Sequence, residues 1–342
     1  MSIKTNILLL TCLLLFSCRK EEQEDLSYNL DLPDHFPETV YDLKKNPVTR
    51  HGFELGRKLF YDPRLSVTGT ISCGDCHQLF AGFAHADHPV SHGIHDRLGH
   101  RNAQHLVNLV YQKDFFWDGG VQQLDLVSIR PLTDTLEMGN TVENVLTTLK
   151  GIPEYQQAFK RAFPQSPDAI TTNNLLKALS QFMAAIISAD SPYDEYITGN
   201  QRNFSDAAVK GIEIFKANCN TCHTAPLFTD NSFRSNGLAD VTDEGRGSVT
   251  LQAQDKYKFK VPSLRNLSLT SPYMHDGRFT TIDEVINFYS SGIQDNEHTD
   301  PQVLKNSRSG FQFTQEEKAS LKAFLLSLTD QTFLNNRDFD AH

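Results

Sequence analysis

Cys73-Gly74-Asp75-Cys76-His77 and Cys219-Asn220-Thr221-Cys222-His223 repeat one pattern, Cys-x-x-Cys-His, in a chain of 342 residues. This is the attachment sequence of a c-type haem. Its two thiols add across the vinyl groups as thioethers, and the adjoining His ligates the iron from the proximal side. A lone copy also fits a zinc or redox Cys-x-x-Cys followed by an incidental His. Two copies predict two c-type haems, one on Cys73, Cys76 and His77, the other on Cys219, Cys222 and His223.

The remaining cysteines, Cys12 and Cys18, lie near the N-terminus. Lys4 and the nearly all-apolar run from Ile7 to Phe16 read as an export signal, too short for a permanent membrane span. The run ends in Leu15-Phe16-Ser17-Cys18, which resembles a bacterial lipobox. Residues 1–17 are therefore expected to be a lipoprotein-type signal peptide, with Cys18 as the lipidated N-terminus. An ordinary signal with an incidental Cys is the alternative. Several acyl chains on one residue anchor stably where a single chain is marginal. The expected location is the periplasmic side of a bacterial membrane, reached by export and held by lipid. Residues 18–39 are expected to form a tether, most clearly the charged stretch 19–27. No cysteine is then left for a disulfide. Loss of Lys4 with the signal takes the net charge from −10 to −11. An acidic surface argues against nucleic acid and suits a basic electron donor.

The two motifs divide the chain into halves with a shared lead-in. Gly56-Arg57-Lys58-Leu59-Phe60 precedes the first, and Gly211-Ile212-Glu213-Ile214-Phe215 the second. The second lead-in is expected to start a helix at Ser205, with Asp206 in its first turn and Val209, Ile212 and Phe215 on one apolar face. Thr314-x-x-Glu317 fits a capping box. The stripe of Leu321, Phe324, Leu325 and Leu328 that follows should pack on that helix. Leu175 to Ile187 is another helical run, ended by Asp190-Ser191-Pro192, and Gly199 to Asn203 reads as a linker. Strand signals are few and short. The expected fold is mainly α, with two cytochrome c-like domains, residues 40–199 and 204–332, each carrying one covalently bound c-type haem.

Seven of the thirteen histidines follow or belong to the first motif: His77, His85, His88, His92, His95, His100 and His105. Any one is more often a surface residue than a ligand, but a loop His could fill the sixth position of an iron bound by His77. Trp117, the only Trp, reads by itself as a core aromatic. Between two haems, an indole that oxidises comparatively easily also suits an electron relay. Glu137 stands in Leu136-Glu137-Met138-Gly139-Asn140.

These segments resemble the bacterial di-haem cytochrome c peroxidase family, which includes the MauG-type enzymes. The resemblance runs from about residue 40 to about residue 330. It rests on Gly-Arg-Lys-Leu-Phe-Tyr-Asp-Pro-Arg-Leu-Ser at 56–66, both haem motifs, Phe116-Trp117-Asp118-Gly119, the Glu137 segment, Leu264-Arg265-Asn266, and Pro272-Tyr273-Met274-His275-Asp276-Gly277. It implies a peroxide site at the haem of His77 and an electron-receiving haem at His223. It further implies that Trp117 lies between the haems and that Glu137 is the acid beside the peroxide. A calcium ion is implied at Asn102 and the carbonyls of Thr270 and Pro272, together with a reduced cytochrome c or similar donor, and homodimers are widespread in the family.

The sequence departs from that pattern in three places. Where the peroxidases place a Gln after the Trp, this chain has Val127, with Gln122 and Gln123 out of register. Where they place a Met on the far side of the second haem, it has Tyr289. The MauG type uses a Tyr there, which favours Tyr289 over its rival Met274. His92 matches a loop His that caps the peroxide-site iron, but its gap to Arg101 is two residues longer than the family pattern. It is left as a ligand, a neighbour of the ligand, or neither. Three functions follow from these features: reduction of hydrogen peroxide to water by a cytochrome-type donor, MauG-type oxidation of residues on a partner protein, or electron carriage without catalysis.

Overall fold

The computed structural model describes residues 28–200, 204–304 and 309–341. Cys18, the signal peptide and the charged stretch 19–27 lie outside the described residues, as do positions 201–203 of the linker. The molecule is mainly helical. The first half contains α1 (Arg50–Phe60), α2 (Cys73–Cys76), α3 (Leu124–Val127), α4 (Ile129–Thr133), α5 (Val142–Lys150), α6 (Pro153–Ala162), α7 (Thr172–Ala185) and α8 (Pro192–Ile197). The second contains α9 (Asp206–Asn218), α10 (Gly247–Thr250), α11 (Ile282–Ser291), α12 (Gln315–Leu326) and α13 (Gln331–Leu334). Two short strands, β1 (Phe233–Arg234) and β2 (Phe259–Lys260), pair antiparallel with Phe233 opposite Lys260. Among the described residues, no helix is long and apolar enough to cross a membrane.

One device builds both halves. The helix before each haem motif crosses a later helix at a glycine. A Cβ on Gly56 of α1 would stand 2.0 Å from the Ala178 carbonyl oxygen of α7. A Cβ on Gly211 of α9 would stand 2.2 Å from the Ser320 carbonyl oxygen of α12. The shared Gly-x-x-x-Phe lead-in is thus a crossing point, and the Phe four residues on fills the core beside it. Phe60 lies 5.0 Å from Phe182, and Phe215 lies 4.9 Å from Phe324. Gly56→Ala forces two backbones apart. It is expected to cost about 1–3 kcal/mol, the usual range for overpacking, seen as a lower denaturation midpoint. An unchanged midpoint would show that the crossing tolerates a methyl group.

The helix ends follow local chemistry. Ser205 caps α9 by accepting from the Ala208 amide, and Thr314 and Glu317 form the capping box of α12. Leu321, Phe324, Leu325 and Leu328 are all buried against α9. The predicted face of α9 needs one correction. Val209 is 39% exposed, and Ala208 and Gly211 take the buried positions with Ile212 and Phe215. The crossing at Gly211 rotates the contact face toward 208, 211 and 215.

Residues 28–36 and 333–339 both pack on the first core. Residues 28–39, assigned to the tether by the sequence, include Tyr28 stacked on Phe53 at 4.4 Å and the buried Phe36. Beyond residue 332, Phe333 and Phe339 pack at 6.0 and 6.1 Å from Phe83. Arg265 and Asp194 join the halves. Arg265, fully buried, donates to both Asp194 oxygens at 2.8 and 2.7 Å and lies over the Phe36 ring.

Candidate functional site

Each Cys-x-x-Cys-His forms a tight turn closed by the same bond. The His77 amide donates to the Cys73 carbonyl at 2.9 Å, and the His223 amide to that of Cys219 at 2.9 Å. Cys73, Cys76, Cys219 and Cys222 form no disulfide with one another. His77 Nδ1 lies 2.9 Å from the Phe83 carbonyl oxygen. His223 Nδ1 lies 3.1 Å from the carbonyls of both Phe228 and Pro262. A carbonyl only accepts, so Nδ1 carries the proton in each ring and Nε2 keeps its lone pair. This is the arrangement of a metal-ligating His held by its outer-shell partner. Burial keeps both rings neutral by pushing their pKa down, that of His77 to about 4.

Each motif opens on a large cavity. The first, about 2250 Å³ with its mouth, is lined by Cys73, Cys76, His77, His92, Trp117 and Glu137. The second, about 1650 Å³ with its mouth, is lined by Cys219, Cys222, His223, Met274 and Tyr289. Two buried polar atoms lack a hydrogen-bond partner among the described residues, His105 Nδ1 and Asn231 Oδ1, and both residues line the first cavity. Paired thiols, an imidazole with a free Nε2 and a roomy, mostly apolar chamber fit a haem at each place.

The wall between the cavities belongs to both. Trp117, Asn102, His105 and Lys260 line each of them. Trp117 is buried, and its Nε1 donates to the Asn102 carbonyl at 2.9 Å. The loop carrying it has a counterpart in the second half. Phe115 pairs with Val121 around Trp117, and Tyr273 pairs with Phe279 around His275. The residue before each ring, Phe116 or Met274, has positive φ. The Trp117 and His275 rings meet edge-on, 6.5 Å apart.

Glu137 sits on a loop pinned to the histidine-rich segment. The Ile94 amide donates to its carbonyl at 2.8 Å, and a Cβ on Gly93 would stand 2.7 Å from its Cα. His92 and Glu137 therefore line the same cavity. Burial first, and then the nearby Asp134 charge, push the Glu137 carboxyl up to about 7 against the opposing pull of Arg130. His92 is partly exposed, with Nδ1 2.6 Å from Asp96 Oδ1. Val127 is buried in the wall of this cavity, an apolar patch, while Gln122 and Gln123 are exposed.

In the second cavity the rival residues share one donor. Asn236 Nδ2 lies 3.2 Å from the Tyr289 hydroxyl and 3.6 Å from Met274 Sδ. Burial pushes the Tyr289 phenol up to about 12. Asn102, Thr270 and Pro272 all line this cavity. The Asn102 side-chain amide donates to the Pro89 carbonyl at 3.1 Å, which leaves its Oδ1 as an open acceptor. Sequence reasoning overlooked Lys260 and the part His105 plays in the shared wall. The only signal was the parallel of Asn102-Ala103-Gln104-His105-Leu106 with Lys260-Val261-Pro262-Ser263-Leu264.

A family model described as di-haem cytochrome c peroxidase matches residues 50–202. The cytochrome c551 peroxidase of Pseudomonas aeruginosa is 31% identical over 302 residues, 86% of this chain and 83% of its own. The methylamine utilization protein MauG of Methylorubrum extorquens is 33% identical over 305 residues, 85% of this chain and 82% of its own. A solved MauG-like protein associated with microbial copper homeostasis superposes with a TM-score of 0.82 at 31% identity, over 92% of this chain and 99% of that one. With paired haem motifs, matching cavities and relatives aligned over most of its length, the chain belongs to the di-haem cytochrome c peroxidase family.

Proposed function

We propose that this protein reduces hydrogen peroxide to water with electrons from a reduced cytochrome c or similar donor. The observation that carries the reading is Glu137, a carboxyl of raised pKa in the wall of the His77 cavity. A non-catalytic electron carrier has no use for such an acid. Each haem, attached through its cysteines and held by His77 or His223, supplies a redox-active iron when bound. The chain's own residues do the rest. Reduction of peroxide to two waters consumes two electrons and two protons. Glu137, near half-ionised at neutral pH, takes a proton from one peroxide oxygen and returns it to the other, so that water leaves. Trp117, fixed through Asn102, is an aromatic ring of the shared wall and couples the two cavities electronically. Val127 gives peroxide no polar contact, which puts more of the task on Glu137.

His92 serves as the candidate cap of the first site, with Asp96 on its Nδ1 leaving Nε2 as the ligating atom. Calcium would take Asn102 Oδ1 and the carbonyls of Thr270 and Pro272, oxygen donors that suit it. A lipid anchor at Cys18 on the periplasmic side completes the reading and rests on the sequence alone.

Tyr289 favours a second reading, MauG-type oxidation of a partner protein. A phenol pushed up to about 12 ionises at neutral pH only against a metal cation. Tyr289→Phe is expected to change the spectrum of the oxidised haem-loaded protein, and Met274→Leu to leave it alone. A near-infrared thioether-to-iron band in the oxidised protein would reverse the assignment. The two functions separate in a steady-state assay of haem-loaded protein with a pre-reduced small cytochrome c. Peroxide-dependent oxidation of that cytochrome over many turnovers supports the peroxidase. A long-lived oxidised protein that the cytochrome barely discharges sinks it in favour of the second reading.

A further inference from the structure

Lys260 is a buried charge that the mechanism above leaves idle. It is 4% exposed, in β2, and lines both cavities. Its Nζ donates to Gln112 Oε1 at 2.6 Å and to the Asp114 carbonyl at 2.9 Å, both neutral oxygens. The Asp114 carboxylate attracts it from farther off and itself accepts from Gln122 at 3.4 Å. The Lys260 amide donates to the Trp117 carbonyl at 2.8 Å, which locks the cation beside the Trp shared by the two sites. A buried ammonium bonded only to neutral groups is expensive. Burial pushes its pKa down only to about 8, so it stays mostly charged at pH 7.

We propose that Lys260 is a positioning residue for electrons: its fixed charge, in the wall common to both cavities, raises the reduction potential of both haems. The proposal rests on the reading of each cavity as a haem site. An electron added to either haem is a negative charge brought toward a cation in a medium of low dielectric, which favours the reduced form. Two unit charges on the order of 10 Å apart at an effective dielectric near 20 interact enough to shift the reduced-to-oxidised ratio roughly tenfold. For a one-electron couple that is about 59 mV. Because the same ammonium borders both sites, it lifts the two potentials together. The driving force for transfer between them is largely kept while both become easier to reduce by the donor.

The test is a spectroelectrochemical titration of the haem-loaded protein, wild type against Lys260→Met, with covalent attachment of both haems verified by mass. Lys260→Gln, which keeps a donor for Gln112 and Asp114, is run in parallel in case the Met variant fails to fold. Both midpoint potentials are expected to fall, each by about a tenfold change in the reduced-to-oxidised ratio at fixed potential. Unchanged potentials, or a fall at one haem only, with both haems attached would overturn the shared role of Lys260 and leave the peroxidase reading standing. Failure of the wild-type chain to attach haem at both motifs would instead overturn the reading beneath it.

Discussion

Glu137→Gln is expected to keep both haems and to lose peroxide turnover by about a hundred- to ten-thousand-fold, the span of a positioned general acid–base group. Gln matches the carboxyl in shape and holds no transferable proton at neutral pH, so folding and haem attachment should be spared. The pH profile supplies the sign. Burial and Asp134 raise the carboxyl to about 7, and the proton-accepting form is the ionised one. Turnover that depends on Glu137 should therefore fall as pH drops below about 7, and the variant's residual rate should lose that limb. Wild-type turnover in Glu137→Gln would remove this residue from the mechanism. An unchanged acid limb would assign the titration to another group.

The second large effect concerns stability. Arg265→Met leaves the Asp194 carboxylate buried without its bidentate partner, at an expected cost of about 3–5 kcal/mol. Burial alone would raise the Asp194 pKa. Hydrogen bonds and charge from Arg265, with help from Ser191, overcome that and hold it below the usual carboxylate range. His35 Nε2 stays 3.0 Å from Asp194 Oδ1. The loss should appear as a much lower urea midpoint of the haem-loaded protein. Asp194→Leu added to Arg265→Met should recover part of it, because the stranded charge is gone. A midpoint within about 1 kcal/mol of wild type, the scale of an exposed pair, would show that Arg265 does not clamp the halves.

What could be seen in the sequence was local chemistry. The haem motifs, the Ser205 cap and the Thr314–Glu317 box are each decided by a few adjacent residues, and the two caps form as expected. What could not be seen depends on distant partners. Val209 fits an apolar stripe as well as Ile212 does, and only the crossing at Gly211 settles which of them is buried. Tyr28 and Phe36 follow a charged stretch and read as tether, yet their partners are Phe53 in α1 and Tyr111, both in the first core. Lys260 carries no signal of burial in its neighbouring residues. Its burial is created by Gln112 and Asp114, nearly 150 positions away.

Residues 333–339 complete the surroundings of the first haem motif. Phe83 lends its carbonyl to His77, and its ring rests against Phe333 and Phe339. The Tyr61 hydroxyl and the Arg57 guanidinium also reach across, to the carbonyls of Phe339 and Asp338. The wall behind His77 is thus finished by residues 333–339. The packing behind His77 therefore depends on a segment about 250 positions further along the chain, whereas α9 and α12 pack within the second half. Removing residues 333–342 would leave Phe83, the residue that orients His77, without the rings of Phe333 and Phe339 behind it.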